Sequence, residues 1–212
     1  MKYQHTVDDK TAWIDVVETE KHPKLVDLDS PLLIRAPGCE YFCLRESVAN
    51  KLYQATTLLP KGYQFKIFET YRSIDKQKLF WARELAKVKA LHPDWSTEKV
   101  EEEANNGIAN PYKIGSGHQT GAALDLTLCK NGKELNMGTP YLDTNSPKAR
   151  TWGKGLTVEQ MKNRSMLYFL MAMAGLVNYR LEWWHYSYGE QEWAVTTDHP
   201  QTLFAQMKMP SR

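Results

Sequence analysis

The sequence is short of the features that define several common classes of protein. Its 212 residues contain three cysteines, Cys39, Cys43 and Cys129, with no repeated Cys-x-x-Cys spacing. This odd count argues against a disulfide framework and against a zinc site built from thiolates. Basic residues outnumber acidic ones by only 27 to 25, and they form no run of the kind that binds nucleic acid. We therefore expect no nucleic-acid partner.

Long apolar segments are also absent. The first residues lack the apolar core of a secretory signal, and the longest apolar run, 166–177, is shorter than the about 20 residues that a membrane-spanning helix needs. We therefore expect a cytoplasmic protein with no membrane partner. Because no repeat, low-complexity segment or linker interrupts the chain, we also expect a single domain over residues 1–212.

The spacing of apolar residues predicts an α+β domain. Four stretches have the apolar spacing or the capping residues of a helix, and they cover about 41–59, 74–92, 97–106 and 158–174. Three stretches resemble strands, at 63–69, 123–128 and 177–188. This order lacks the regular alternation of a doubly wound sheet, so we predict a small antiparallel sheet packed against helices.

The segment SGHQTGAALDLTL (116–128) places polar residues beside an apolar strand. Side chains alternate along a strand, so Asp125 faces away from the leucines that precede and follow it. His118 lies before the strand, and Gly121 allows a turn that brings the imidazole back toward the carboxylate. Alone, each residue is compatible with a hydrogen-bonded loop histidine or a turn carboxylate. Together they suit a zinc ion.

A second pair of ionisable residues lies in LEWWHYSY (181–188), a stretch whose aromatic content predicts burial. Glu182 and His185 are three residues apart and would point to opposite faces of a regular strand. They can share one cleft only if the strand bulges, twists strongly or ends between them, and we predict such an irregularity at Trp183–Trp184. His118, Asp125 and His185 would then leave a fourth zinc position for water, with Glu182 as the general base.

Arg72 is the candidate for the positive group that a hydrolase places near a developing oxyanion. It follows the predicted strand at 63–69 and precedes Ser73, which can cap the next helix. A surface arginine in an ordinary strand-to-helix turn fits the same pattern, so the residues alone leave both interpretations open.

Taken in order, these residues resemble the zinc D-Ala-D-Ala dipeptidases of the VanX type, in the peptidase M15 family. Those enzymes are related to VanY carboxypeptidases and to the hedgehog signalling domain. The shared patterns are S-x-H-x(2)-G-x-A-x-D, here from Ser116 to Asp125, and E-x-W-H, here from Glu182 to His185. Both are complete, and the doubled tryptophan favours the dipeptidase branch. The resemblance implies a hedgehog or D,D-peptidase-like fold.

The resemblance also implies roles for individual residues. His118, Asp125 and His185 would bind one Zn²⁺ per chain, Glu182 would act as the base and Arg72 would stabilise the oxyanion. Three further candidates would contact a small dipeptide substrate, and they are Ser116, Tyr71 and Asp143. Asp143 stands about one position later than the family's acidic residue after its Met-Gly pair, here Met137–Gly138.

Two alternatives to a D-alanyl-D-alanine dipeptidase remain open at this point. A D,D- or L,D-carboxypeptidase or endopeptidase on longer peptidoglycan peptides would use the same chemistry in an open groove, whereas a narrow, capped pocket favours a dipeptide. A non-catalytic zinc-containing binding protein on the same scaffold is the other alternative. Glu182 disfavours it, because a structural zinc has no use for a neighbouring base.

Overall fold

The computed structural model describes residues 2–7 and 10–207, which form ten strands and five α-helices. The strands are β1 (Lys2–Val7), β2 (Lys10–Asp15), β3 (Leu25–Asp27), β4 (Leu33–Arg35), β5 (Cys43–Arg45), β6 (Tyr63–Glu69), β7 (Ala123–Lys130), β8 (Lys133–Glu134), β9 (Val177–Asn178) and β10 (His185–Ser187). The helices are α1 (Glu46–Thr57), α2 (Ile74–Leu91), α3 (Thr97–Gly107), α4 (Val158–Met173) and α5 (Gln191–Thr196), with a short 3₁₀ helix at Gly117–Thr120. Among these residues, no helix combines the length and the apolar character that crossing a membrane requires.

One sheet of six strands forms the centre of the fold. Its order is β4-β6-β7-β10-β9, and the short β8 pairs with the end of β7. All of its pairings are antiparallel except that of β4 with β6. The predicted α+β class with a small antiparallel sheet is therefore confirmed, and the parallel edge strand β4 is an addition to it.

The main hydrophobic core lies on one face of this sheet. Leu124, Leu126 and Leu128 are fully buried there, in one cluster with apolar residues of α1 and α4. Asp125 points to the opposite face, as the alternation of a strand requires, and is also buried. The β7 strand is thus covered on both faces, so a carboxylate on it needs partners that offset the loss of water.

Helices α2 and α3 form a separate unit beside the sheet. Ser73 caps the N-terminus of α2, as predicted, and Ser96 caps that of α3, each by accepting a hydrogen bond from a backbone N–H group of the first turn. The two helices pack against each other through a small cluster of their own, made of Trp81, Val88, Val100 and Ala104. One side of α2 is left to line a cleft next to the central sheet.

Two predicted elements differ from the structure. The helix predicted from residue 41 begins at Glu46, because residues 43–45 form strand β5 instead. The single strand predicted over 177–188 is wrong: the structure has two short antiparallel strands, β9 and β10, joined by the turn 179–184. The high aromatic content of residues 177–188 reflects the burial of Trp183 and Trp184 in the turn, not an extended backbone.

The long irregular connection between β8 and α4 is held by a buried arginine. The Arg164 guanidinium, on α4, donates hydrogen bonds of 2.5–3.1 Å to four backbone carbonyls of this connection. The carbonyls belong to Met137, Lys148, Arg150 and Thr151. Because α4 belongs to the main core, these bonds attach the connection to the rigid part of the fold.

Replacing Arg164 with methionine is expected to lower the free energy of unfolding by roughly 2–4 kcal/mol, because four buried or half-buried carbonyls lose their donor. Urea unfolding measures the change. Arg150→Met is the matched control, since the Arg150 side chain lies on the same connection but is exposed. Equal stability of the two variants would show that Arg164 does not hold this segment.

Candidate active site

Three ionisable side chains form a row across the central sheet. Asp125 on β7 lies opposite His185 on β10 on one side and opposite Glu69 on β6 on the other. The pairing of β6 with β7 shifts by one residue between Ile67 and Glu69, which is the signature of a β-bulge. This shift brings Glu69 into the same row as Asp125 and gathers the three residues at one place on the sheet.

His118 enters the site from the short 3₁₀ helix that precedes β7. Ser116 and Gln119 form a reciprocal capping box that fixes the start of this helix. Gly121 ends it in the left-handed conformation, with φ +72°, and a Cβ at this position would lie 2.5 Å from the Leu25 side chain. Glycine is therefore required for the turn that returns His118 to Asp125.

The two nitrogens of the His118 ring have different surroundings. Nδ1 lies 2.8 Å from the Thr70 carbonyl oxygen, which can only accept, so Nδ1 carries the proton. In the neutral ring Nε2 then has a free lone pair, and this atom lies 3.4 Å from Asp125 Oδ1. A backbone carbonyl that fixes the second ring nitrogen in this way is the usual support of a metal-ligating histidine.

His118, Asp125 and His185 bring ligand atoms together within 4.8 Å of one another. Burial would raise the pKa of Asp125, but the charges and hydrogen bonds of the two imidazoles hold it far below its usual range. Burial would likewise lower the pKa of His185, yet its 2.9 Å hydrogen bond to Asp125 and the charge of that residue raise it to about 9. An ionised carboxylate between two imidazoles is a donor set that zinc prefers, so these residues fit the ion.

Glu182 lies in the turn between β9 and β10, just before the strand that carries His185. Its backbone carbonyl accepts hydrogen bonds from His185 N–H and from the buried Asn178 side chain, whose amide also donates to the His185 carbonyl. The predicted irregularity between Glu182 and His185 is confirmed, since β10 begins only at His185. Burial raises the pKa of Glu182 despite the opposing charge of His185.

Arg72 is held between two partners. Its Nε and Nη2 both donate to Glu69 Oε2, and its Nη1 donates to Gln77 Oε1 at 2.8 Å. Glu69 Oε1 also forms an ion pair with Lys76 Nζ at 2.8 Å. The interpretation of Arg72 as a surface arginine is therefore wrong. Arg72 is only 7% exposed, and its backbone N–H donates a hydrogen bond to the His118 carbonyl.

A cleft of about 1210 Å³ opens over these residues. Six of the predicted site residues line it, and they are Arg72, Ser116, His118, Asp125, Glu182 and His185. Tyr71 and Asp143 do not line it. Tyr71 is buried and its hydroxyl donates to the Met207 carbonyl at 3.1 Å, whereas the cleft wall near Asp143 consists of Leu142, Thr144 and Asn145.

Sequence patterns missed several residues that support the site. Tyr141 donates a hydrogen bond of 2.9 Å to Asp125 Oδ2, and Gln77 fixes Arg72 while its amide donates to the Ala109 carbonyl. The spacing of Glu69 and Arg72, three residues apart in ETYR, was the one local signal for such a support. Tyr141 gives no such signal, because its partner lies 16 residues away on another element.

Comparison with known proteins provides independent information on this arrangement. The sequence model of the Peptidase M15 family, described as D-Ala-D-Ala dipeptidase, matches residues 39–205. A D-alanyl-D-alanine dipeptidase of Synechocystis sp. is 28% identical over 182 residues, which cover 74% of this chain and 73% of the relative. A D-alanyl-D-alanine dipeptidase of Streptomyces coelicolor is 31% identical over 119 residues, which cover 53% of this chain and 55% of the relative.

Among solved structures, the chain is similar to VanYB in complex with D-alanine-D-alanine. The TM-score is 0.50 at 17% sequence identity, and the alignment covers 85% of this chain and 84% of that one. At this level of identity the similarity concerns the fold, which is the D,D-peptidase-like fold expected from the sequence.

Proposed function

Because the chain belongs to the Peptidase M15 family of D-Ala-D-Ala dipeptidases, we propose that it is a zinc-dependent D,D-dipeptidase. Its substrate would be D-alanyl-D-alanine or a closely related dipeptide. The observation that carries the proposal is the cluster of His118, Asp125 and His185 in the same cleft as Glu182 and Arg72. The proposal keeps two sequence-based expectations, a single zinc peptidase domain over residues 1–212 and a cytoplasmic location, which cell fractionation would test.

His118, Asp125 and His185 would hold one zinc ion per chain. The ion would act as a Lewis acid that lowers the pKa of water to about 7 and polarises the peptide carbonyl. The chain prepares its ligands for this role through the Thr70 carbonyl, which leaves the Nε2 lone pair of His118 free, and through ionisation of Asp125. Because His185, whose pKa is raised to about 9 without the ion, must lose its proton to bind a metal, zinc affinity would fall as the pH drops below that value.

Glu182 would move the protons of the reaction. Its carboxylate would accept a proton from the attacking water and then donate it to the amine that leaves as the peptide bond breaks. The two hydrogen bonds that the Asn178 side chain donates to the Glu182 and His185 carbonyls support this role, because they fix the turn that carries Glu182 next to His185. A carboxyl with a raised pKa is also better suited to give the proton back.

Arg72 would donate to the carbonyl oxygen of the scissile bond while negative charge develops there. A guanidinium has five N–H groups, and the bonds to Glu69 and Gln77 use three of them. One N–H on each terminal nitrogen is left for a substrate oxygen. Two buried partners thus hold the group in place before the substrate binds, which is the condition for effective oxyanion stabilisation.

Longer peptides are a second candidate substrate, and the shape of the cleft favours them. Its volume of about 1210 Å³ exceeds the roughly 300–1000 Å³ of pockets that enclose drug-sized ligands. A dipeptide of two alanines is smaller than such ligands and would leave much of the cleft unfilled. The cleft continues from Arg72 along α2 to Leu91, and Asp143, which the resemblance implied as a contact of a dipeptide substrate, does not line it. A D,D- or L,D-carboxypeptidase would use the same catalytic residues on a chain extending along this groove.

The test is D-alanine release by the purified protein with its zinc content measured. We expect about one zinc per chain, release of D-alanine from D-Ala-D-Ala, and no release of L-alanine from L-Ala-L-Ala. Removing zinc with a chelator should abolish release, and adding zinc should restore it. The tripeptide L-Lys-D-Ala-D-Ala is assayed in parallel to compare the two candidate substrates.

Each alternative has its own signature in this assay. Release from the tripeptide alone would favour the carboxypeptidase, and zinc bound without release from either peptide would favour a non-catalytic binding protein. A protein that binds no zinc and remains active would overturn the proposed mechanism.

A further inference from the structure

The two carboxylate oxygens of Asp125 have different partners. Oδ1 lies 2.9 Å from His185 Nδ1 and 3.4 Å from His118 Nε2, so it faces both imidazoles. Oδ2 points the other way and accepts a hydrogen bond of 2.9 Å from the Tyr141 hydroxyl. A phenol is protonated at neutral pH and a carboxylate only accepts, so the direction of this bond is fixed.

The Tyr141 ring is held rigidly on its two sides. It stacks on Phe68 of β6 with ring centroids 4.4 Å apart and planes 9° from parallel, and it meets the fully buried Trp184 edge to face at 5.7 Å. The neighbouring Thr139 hydroxyl accepts a hydrogen bond from Trp183 Nε1. The hydroxyl of Tyr141 is thus placed by packing that does not depend on Asp125.

We propose that Tyr141 is a positioning residue that makes Asp125 a metal ligand through one oxygen only. By holding Oδ2, the hydroxyl leaves Oδ1 alone to face the position between the two histidines. A carboxylate that bound through both oxygens would take an additional coordination position, which a catalytic site with three protein ligands keeps for water. The inference rests on the proposed function only in requiring that this site binds zinc.

Tyr141→Phe tests the inference because it removes the hydroxyl and keeps the stacked ring. Loss of a hydrogen-bonding partner of a metal ligand weakens binding by about ten- to a hundredfold, and we expect the zinc dissociation constant to rise by that factor. Competition with a chromophoric chelator measures it without reference to activity. The visible spectrum of the cobalt-substituted protein should also change, because it reports the coordination number of the metal.

Tyr186→Phe is the matched control. The Tyr186 hydroxyl is buried one residue after His185, in the main core, and has no hydrogen-bond partner among the described residues. This variant also loses one buried phenol hydroxyl, but from the core side of the strand that carries His185, so zinc affinity and the cobalt spectrum should stay as in the wild type. Thermal unfolding of both variants verifies that the fold is retained.

The outcomes separate this inference from the proposed function. If the wild type binds zinc and Tyr141→Phe binds it equally well with an unchanged cobalt spectrum, the inference is wrong and the proposed function stands. If the variant loses only kcat, the hydroxyl acts on the substrate and not through Asp125. A wild-type protein without zinc affinity would overturn the metal site itself, and the role of Tyr141 with it.

Discussion

Replacing Glu182 with glutamine is expected to lower kcat for D-Ala-D-Ala by roughly 10²- to 10⁴-fold, the range that general acid-base catalysis contributes. The amide has nearly the shape of the carboxylate but cannot accept a proton from water. Because the Glu182 backbone is held by Asn178 and His185, the turn should keep its conformation in the variant. The three metal ligands lie on other positions, so zinc should remain bound.

The measurement pairs kcat with the zinc content of the same sample. Glu134→Gln is the control, since Glu134 is half exposed on β8 and, among the residues that the structure describes, its carboxylate forms an ion pair with Lys66 alone. Activity within tenfold of the wild type in Glu182→Gln would exclude Glu182 as the base. Loss of zinc together with activity would instead assign Glu182 to the support of the metal.

The strand that carries Asp125 and the turn that carries His118 could be predicted because their signals are local. Alternation along β7 separates Asp125 from the core leucines, and Gly121 permits the return of the chain. The break between Glu182 and His185 was also predictable, because a spacing of three residues is incompatible with one face of a strand. Here a chemical requirement and a local geometric rule pointed to the same residues.

The contacts around these residues were beyond prediction because they depend on how distant segments pair. Glu69 joins Asp125 only through a bulge whose position follows from the register of two strands 60 residues apart along the chain. Tyr71 was expected at the substrate, yet its hydroxyl bonds to Met207, 136 residues away. Neither contact leaves a mark in the local pattern of polar and apolar residues.

Asp143 shows the limit of carrying a position over from a family pattern. The Met137–Gly138 pair is present, but the carboxylate comes about one position later than expected, and Leu142 lines the cleft instead. In irregular chain no periodicity compensates for a one-residue shift, so each side chain takes a new direction. The same segment provides Tyr141, whose hydroxyl reaches Asp125.

Arg72→Met is expected to lower kcat by about 10²- to 10³-fold, the effect of removing one donor from an oxyanion site. The variant also leaves Glu69 without the guanidinium, although the ion pair with Lys76 remains and should limit the loss of stability. Zinc affinity should change little, because no metal ligand bonds to the Arg72 side chain among the described residues.

Two further variants test whether kcat depends on the positive charge in the cleft or on the exact placement of the Arg72 guanidinium. Arg83→Met removes an exposed cation that lines the same cleft. If this variant keeps nearly the wild-type kcat, the effect of Arg72→Met does not come from a general loss of positive charge in the cleft. Arg72→Lys keeps the charge but cannot form the fork that Glu69 and Gln77 hold, so kcat should recover only in part. If Arg72→Met unfolds more easily yet has the wild-type kcat when folded and zinc-loaded, Arg72 serves the fold, and another donor must face the oxyanion.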